Sequence, residues 1–175
     1  MLCGGGCPAD NICPGCLRDL PRNDSACTGC GLARAGCAQG LCGDCLARPP
    51  AWDAVHAPLR YEFPVDVLIH MLKYRRRLAA AAALARAMAP GQPQAKALAP
   101  VMLIPVPMHW SREWARGYNH AFELARALSR RSGSPLARGR LVRSRRTPPQ
   151  TGLEAAARRR NLRGAFRWDG GHLDG

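Results

Sequence analysis

Hydrophobic positions are unevenly spread along the chain. Over residues 1 to about 50, large apolar side chains are sparse and scattered among Gly, Cys and Pro, at neither helical nor strand spacing. Such a stretch cannot build an oil-drop core and predicts a segment held by staples. Arg48-Pro49-Pro50 punctuates a change of composition, and the module boundary is placed there. "WDAVHAPLRYEF" (52–63) mixes β-forming and polar residues and predicts one or two short strands before Pro64. Beyond Val65, Val67, Leu68, Met71 and Leu72 fall at helical spacing, and "RLAAAAALARAMA" continues the pattern to Pro90. A long helix broken near Tyr74-Arg75 is expected.

Residues 91–100, "GQPQAKALAP", read as a loop. "VMLIPVP" (101–107) is a short apolar run bounded by prolines, which suits a strand buried on both faces in a parallel sheet. Ala121, Phe122, Leu124, Ala125 and Leu128 then mark one face of a helix that closes at "SGSP" (132–135). Strand, loop and helix in this order open a βαβ unit. "RGRLVRS" (138–144) predicts a second short strand, which Thr147-Pro148-Pro149 cannot continue. Residues 153–162 predict a basic helix, and "GAFRWDGGHLDG" is expected to run out with no element of its own.

All nine cysteines lie between Cys3 and Cys45, so one segment carries its own chemistry. No uninterrupted run of about 18 apolar residues exists to span a bilayer. The start, "MLCGGGCPADNIC", has neither a basic nor an apolar signal-peptide region, so a cytoplasmic location is expected. In that reducing compartment, close cysteine pairs point to metal rather than disulfides.

Cys13-x-x-Cys16, Cys27-x-x-Cys30 and Cys42-x-x-Cys45 are knuckles, each able to place two thiolates on one ion. Cys27/Cys30 with Cys42/Cys45, eleven residues between the pairs, predicts a tetrahedral zinc ribbon. Cys3 and Cys7 with Cys13/Cys16 make a second site: either both of the first two ligate, or one does with a ligand from upstream. Cys37 is left over. Four thiolates leave no open coordination position, so these zincs are structural.

The formal net charge of +14 points to a polyanionic partner. From Ser111 onward fifteen Arg face five acids, so the charge is mostly C-terminal. In "LIPVPMHWSREWARGYNHAFELA" (103–125), Arg112, Arg116 and Asn119 follow the predicted strand end, where ligands of open α/β sheets bind. An ordinary βα loop with solvated charges fits the same residues. No phosphate loop and no nucleophile signature is present, and the five His read as packing or surface residues.

Taken together, the cysteine knuckles, "LIHMLKY", "LIPVPMHWSREWARGYNHAFELARAL" and "RTPPQTGLEAAARRRNLRGAF" resemble the ComF/GntX group of phosphoribosyltransferase-related proteins. The resemblance covers nearly the whole chain, although Tyr118 and His120 stand where the group usually has Phe and Gln. It implies an α/β architecture: a double zinc ribbon over 1–50, then over 51–175 the N-terminal part of a type I phosphoribosyltransferase-like parallel-sheet domain. It also implies that Arg145, Arg146, Thr147, Gln150 and Arg160 form a mobile loop closing over phosphoribosyl pyrophosphate, whose Mg²⁺ a complete domain binds. The acidic and Thr-Thr-Gly motif that cradles the sugar phosphate in this group has no counterpart before Gly175. Productive phosphoribosyl pyrophosphate binding by this chain is therefore not expected. The resemblance implies a link to DNA uptake and competence or to nucleotide metabolism, and makes single-stranded DNA and DNA-uptake proteins the expected partners. The alternative is a zinc-ribbon nucleic-acid-binding or protein-interaction module with a basic C-terminal arm, against which stands the scarcity of aromatics near those arginines.

Overall fold

The computed structural model describes residues 2–5, 11–34, 40–89, 101–150 and 152–171. They belong to two units, Met1–Ala89 and Pro90–Gly175, in a mixed α/β arrangement. The loop expected at 91–100 lies outside the described residues, as do Cys7 and Cys37.

In the first unit, cysteines open two one-turn helices that no periodicity could announce. Helix α1, Pro14–Arg18, begins on a proline whose missing N–H costs nothing at that position, with Cys13 as its N-cap. Helix α2, Gly43–Ala47, starts after Cys42 and carries Asp44 in its first turn, complementing the helix dipole. The strands expected over 52–63 are replaced by extended backbone bonded to the cysteine segment. Val55 N–H donates to Thr28 O (2.7 Å), Asn23 N–H to Pro58 O (3.0 Å) and Arg60 N–H to Pro21 O (3.0 Å), with one antiparallel bridge at Arg22–Leu59. Those backbone groups are thus satisfied by the knuckles rather than by a sheet.

Helices α3, Val65–Tyr74, and α4, Ala79–Met88, confirm the long helical pattern and its break. Arg76 sits at φ 52° in the break, a left-handed conformation that a helix cannot continue through. Val65, Leu68 and Leu72 form the buried face of α3, and α4 buries Ala80, Ala81, Ala83, Leu84, Ala85 and Ala87. Small side chains along α4 let the two helices pack closely. The Arg22 guanidinium donates to Ala87 O (2.7 Å) and that of Arg86 to Ile12 O (3.3 Å), tying the cysteine segment to α4. Arg22 thereby meets one of the carbonyls that a helix leaves unpaired at its C-terminal end.

In the second unit, the run 101–107 is extended, but among the described residues its pairing is one parallel bridge, Leu103–Leu136. Val101, Met102 and Val106 are exposed, unlike a strand buried on both faces. Pro105 and Pro107 have no N–H for a ladder, which limits pairing on that stretch. Helix α5, Trp110–Arg116, occupies what reads in sequence as a loop: His109 caps it, Glu113 and Arg116 suit its two ends, and Gly117 closes it at φ 83°. Helix α6, His120–Ser132, follows Asn119 and covers the predicted helix face.

Strand β1, Leu141–Arg143, and helix α7, Ala155–Leu162, lie where the pattern places a strand and a basic helix. The tail does not run out without an element. Phe166–Trp168 forms strand β2, antiparallel to β1 with Leu141 opposite Trp168 and Arg143 opposite Phe166. Gly164 at φ 65° turns the chain back after α7, and Ser144 N–H to Ala165 O (3.1 Å) extends the pairing. Three residues carry too little pattern to declare a strand without a partner.

Leu68 is fully buried between α3 and its surroundings. Urea unfolding of the reduced, zinc-loaded chain is expected to show Leu68→Ala destabilised by about 2–5 kcal/mol, the cost of a cavity at a closed site.

Candidate functional site

The Sγ atoms of Cys27, Cys30, Cys42 and Cys45 all lie within 4.8 Å of one another, with Cys30 and Cys42 sulfurs 3.9 Å apart. Zn–S bonds of about 2.3 Å in a tetrahedron put sulfurs about 3.8 Å apart, whereas a disulfide holds them at about 2 Å. The spacing therefore fits an ion, and all four thiols are unbridged. Cys3, Cys13 and Cys16 form a second group within the same span, Cys3 and Cys13 sulfurs 3.7 Å apart. Among the described residues that group offers three ligands. Zinc held by the four thiolates of the Cys27–Cys45 cluster would supply a structural cross-link with no open coordination position.

Backbone N–H groups prepare one thiolate in each cluster. The Cys16 N–H, 3.3 Å from the Cys13 sulfur, is the main cause drawing that thiol down to about 7. Burial pushes Cys27 upward, but the N–H groups of Cys42 (3.1 Å), Cys30 and Gly29 outweigh it and bring the thiol to about 6. Their neighbours move the other way. Burial, and then hydrogen bonds to the Cys42 and Cys30 thiols, push Cys45 up to about 12, and the thiols of Cys13 and Cys3 push Cys16 up to about 11. Each cluster thus pairs a ready thiolate with a thiol whose proton an incoming cation must displace.

Several groups that sequence reasoning did not single out shape the Cys27–Cys45 cluster. A side chain at buried Gly29 would meet Leu41 Cδ2 at 2.8 Å and Cys45 Sγ at 3.0 Å. Trp52 Nε1–H donates to Gly29 O (2.7 Å). Buried Asn23 donates from Nδ2 to both Gly31 O (3.0 Å) and Ala57 O (2.9 Å). The glycine inside a Cys-x-x-Cys was a readable signal; the partners of Asn23 lie too far along the chain to be one.

In the second unit a cleft of about 360 Å³ opens beside Pro105 and Pro107, with Asn119, Arg138 and Arg143 on its wall. Asn119 caps α6: its Oδ1 accepts from Ala121 N–H (3.0 Å) and Phe122 N–H (3.4 Å), while Nδ2 donates to Val106 O (3.2 Å). It thereby fixes the start of α6 against the 101–107 run. Arg112 donates to Thr147 O (2.8 Å), and Arg143, on β1, donates to Thr147 Oγ1. Thr147 is buried, and burial and then Arg112 hold the Arg143 guanidinium below its usual value. Arg116 pairs with His120 Nδ1 (3.1 Å). Arg145 donates to Asn161 O (3.0 Å) and Arg163 O (2.7 Å), so it satisfies carbonyls at the end of α7. Arg146 and Arg160 are exposed, and the Gln150 amide has both polar atoms buried with no hydrogen-bond partner among the described residues. Arg112 and Thr147 are therefore brought together, Arg143 joins them unannounced, and Asn119 shares the cleft wall with Arg143.

Comparison with known proteins gives an independent reading. Over 160 residues, 89% of this chain and 70% of the relative, the chain is 36% identical to the DNA utilization protein YhgH of Salmonella typhi. Over 161 residues, 90% of this chain and 69% of the relative, it is 34% identical to Competence protein F of Haemophilus influenzae. The chain belongs to the ComF family. A third ComF-family relative, the DNA utilization protein YhgH of Escherichia coli K12, is 34% identical over 160 residues, 89% of this chain and 70% of its own. No family profile matches the chain, and no solved structure matches it significantly. Among the described residues no helix is long and apolar enough to cross a membrane.

Two outcomes are expected for this ComF-family chain. Because raised thiols must deprotonate to ligate, zinc affinity of the reduced chain should rise with pH, about tenfold per pH unit for each proton displaced, as read by competition with a chromophoric chelator. Gly29→Ala should crowd the Cys45 sulfur and release zinc to that chelator at lower concentrations than the parent.

Proposed function

We propose that this ComF-family chain acts in DNA uptake and utilisation, as a DNA-handling protein whose zinc-stapled unit is joined to a phosphoribosyltransferase-related α/β unit. The carrying observation is the similarity, over about nine-tenths of the chain, to relatives named for DNA utilization and for competence. The net charge of +14 supports a polyanionic partner of that kind. Zinc keeps the first unit folded, and the cytoplasm is the compartment in which thiols of this type persist reduced.

Binding, rather than phosphoribosyl transfer, is the activity assigned to the chain. Arg112 and Arg143 are both committed to Thr147, and Arg145 to the end of α7. Each of these guanidinium groups spends donors on the unit's own oxygens, which leaves fewer of them aimed at a pyrophosphate.

The test is a pair of titrations on the zinc-loaded chain. Fluorescence anisotropy with a single-stranded oligonucleotide should show binding that weakens by about two orders of magnitude between ~50 and ~200 mM salt, the behaviour of about five phosphate contacts. Calorimetry with phosphoribosyl pyrophosphate and Mg²⁺ should show no micromolar binding. Flat anisotropy would remove the DNA-handling assignment, and a micromolar, Mg²⁺-dependent isotherm would restore the nucleotide-substrate one.

A further inference from the structure

Helix α3 has two unlike faces. Val65, Leu68 and Leu72 pack inward, while His70 and Tyr74 project from the opposite side, one turn apart, with ring centroids 4.8 Å from each other. Ordinary surface helices carry charged and small polar residues there. Three aromatic side chains of this region are strongly exposed: Tyr61 at 71%, Phe63 at 78% and Tyr74 at 61%. Their rings are large apolar surfaces left in water, which soluble proteins rarely cluster without a use.

Cations surround the same face. Lys73 lies within α3, and Arg75, Arg76 and Arg77 follow it directly, all three arginines exposed. The turn that displays them is fixed. Arg75 and Arg77 both donate their N–H groups to Met71 O, at 3.1 and 3.3 Å, and Arg76 is held at φ 52°. A non-glycine residue in that region is strained and persists where the surroundings impose it. A groove of about 720 Å³ on this face is lined by Tyr61, Asp66, Val67, His70, Met71, Arg75 and Arg77, and the Tyr74 ring packs on His70. Asp66 is the acid in its wall, and its Oδ1 already accepts from Val67 N–H at 2.7 Å.

From this arrangement we infer that the groove on the outer face of α3, together with the Tyr74 ring packed on His70, is a single-stranded DNA platform, on which Tyr61, His70 and Tyr74 stack bases while Arg75 and Arg77 hold the backbone phosphates. The inference rests on the DNA-handling reading and gives that reading a surface. Stacking rings beside a track of guanidinium groups is the chemistry that binds single strands without reading their sequence. Duplex DNA keeps its bases paired and offers no faces to these rings. A protein ligand is the weaker match: the rings are interleaved with cations instead of sitting inside a ring of mixed polar groups. The C-terminal arginines, which dominate the charge count, are partly occupied as struts, Arg112, Arg143 and Arg145 among them.

The decisive experiment uses the full zinc-loaded chain and a fluorescein-labelled oligo-dT of about 20 nucleotides, followed by anisotropy across a salt series. Tyr61→Ala/Tyr74→Ala should weaken binding by roughly tenfold or more, with the salt slope unchanged. Arg75→Ala/Arg77→Ala should weaken it and make the slope shallower by about 1–2. Arg158→Ala/Arg159→Ala on α7 should bind like the parent, and a matched duplex should bind the parent less tightly than the single strand. Zinc content and circular dichroism, unchanged in every variant, separate loss of contacts from loss of fold. Parental affinity in both groove variants, or loss confined to the α7 variant, overturns the assignment of this surface while leaving DNA binding intact. Absence of binding by the parent chain overturns the DNA-handling reading itself.

Discussion

Four sulfurs held within 4.8 Å of one another, from knuckles separated by eleven residues, are the constraint on which the first unit is organised. The segment that carries them has little else to hold it: among the described residues Ile12, Leu20, Cys27 and Cys45 are its buried apolar side chains, with Asn23 buried beside them. Thiolates crowded this closely repel one another, and thiols crowded this closely gain little from contact. A tetrahedral cation reverses that balance, because metal–thiolate bonds contribute folding free energy directly. The N–H groups aimed at Cys13 and Cys27 then have a clear role, lowering the cost of the first thiolate in each cluster.

Around that constraint the rest of the unit is assembled by small polar bonds more than by apolar area. Residues 52–60 lie along the knuckles, with Trp52 on Gly29 and Val55 on Thr28. Arg22 and Arg86 then join the same segment to α4, so the alanine-rich helix pair is tied directly to the cysteine segment. One consequence is functional. With its inner face engaged by α4, helix α3 can leave its outer face to aromatic and basic groups without losing its place in the fold.

The second unit uses its charge differently from what a residue count suggests. Fifteen arginines follow Ser111, yet Arg112, Arg143 and Arg145 donate to backbone or hydroxyl oxygens of the unit itself. Arginine carries five donors in a planar fork, so it can brace a proline-interrupted loop that has few N–H groups of its own. Net charge alone therefore overstates how many of these cations face outward.

Much of this protein is determined by its sequence alone, wherever the controlling interaction is local. Cys-x-x-Cys spacing dictates the knuckles, because two thiolates three residues apart can share an ion whatever surrounds them. Helical periodicity and the Arg75–Leu78 break specify α3 and α4, and the helix 120–132 is legible from its apolar face and its Asn and Gly caps. What tertiary structure decided depends on partners distant in the chain. Backbone of 52–60 went to the knuckles instead of to strands, and β2 exists because β1, more than twenty residues earlier, offers its edge. The run 101–107 shows the same dependence, its apolar pattern calling for two buried faces while its prolines and single described bridge leave part of it exposed. Side chains declare their own preferences, but a backbone N–H or C=O accepts whichever partner the fold brings near, and that choice is not written in any short stretch of residues.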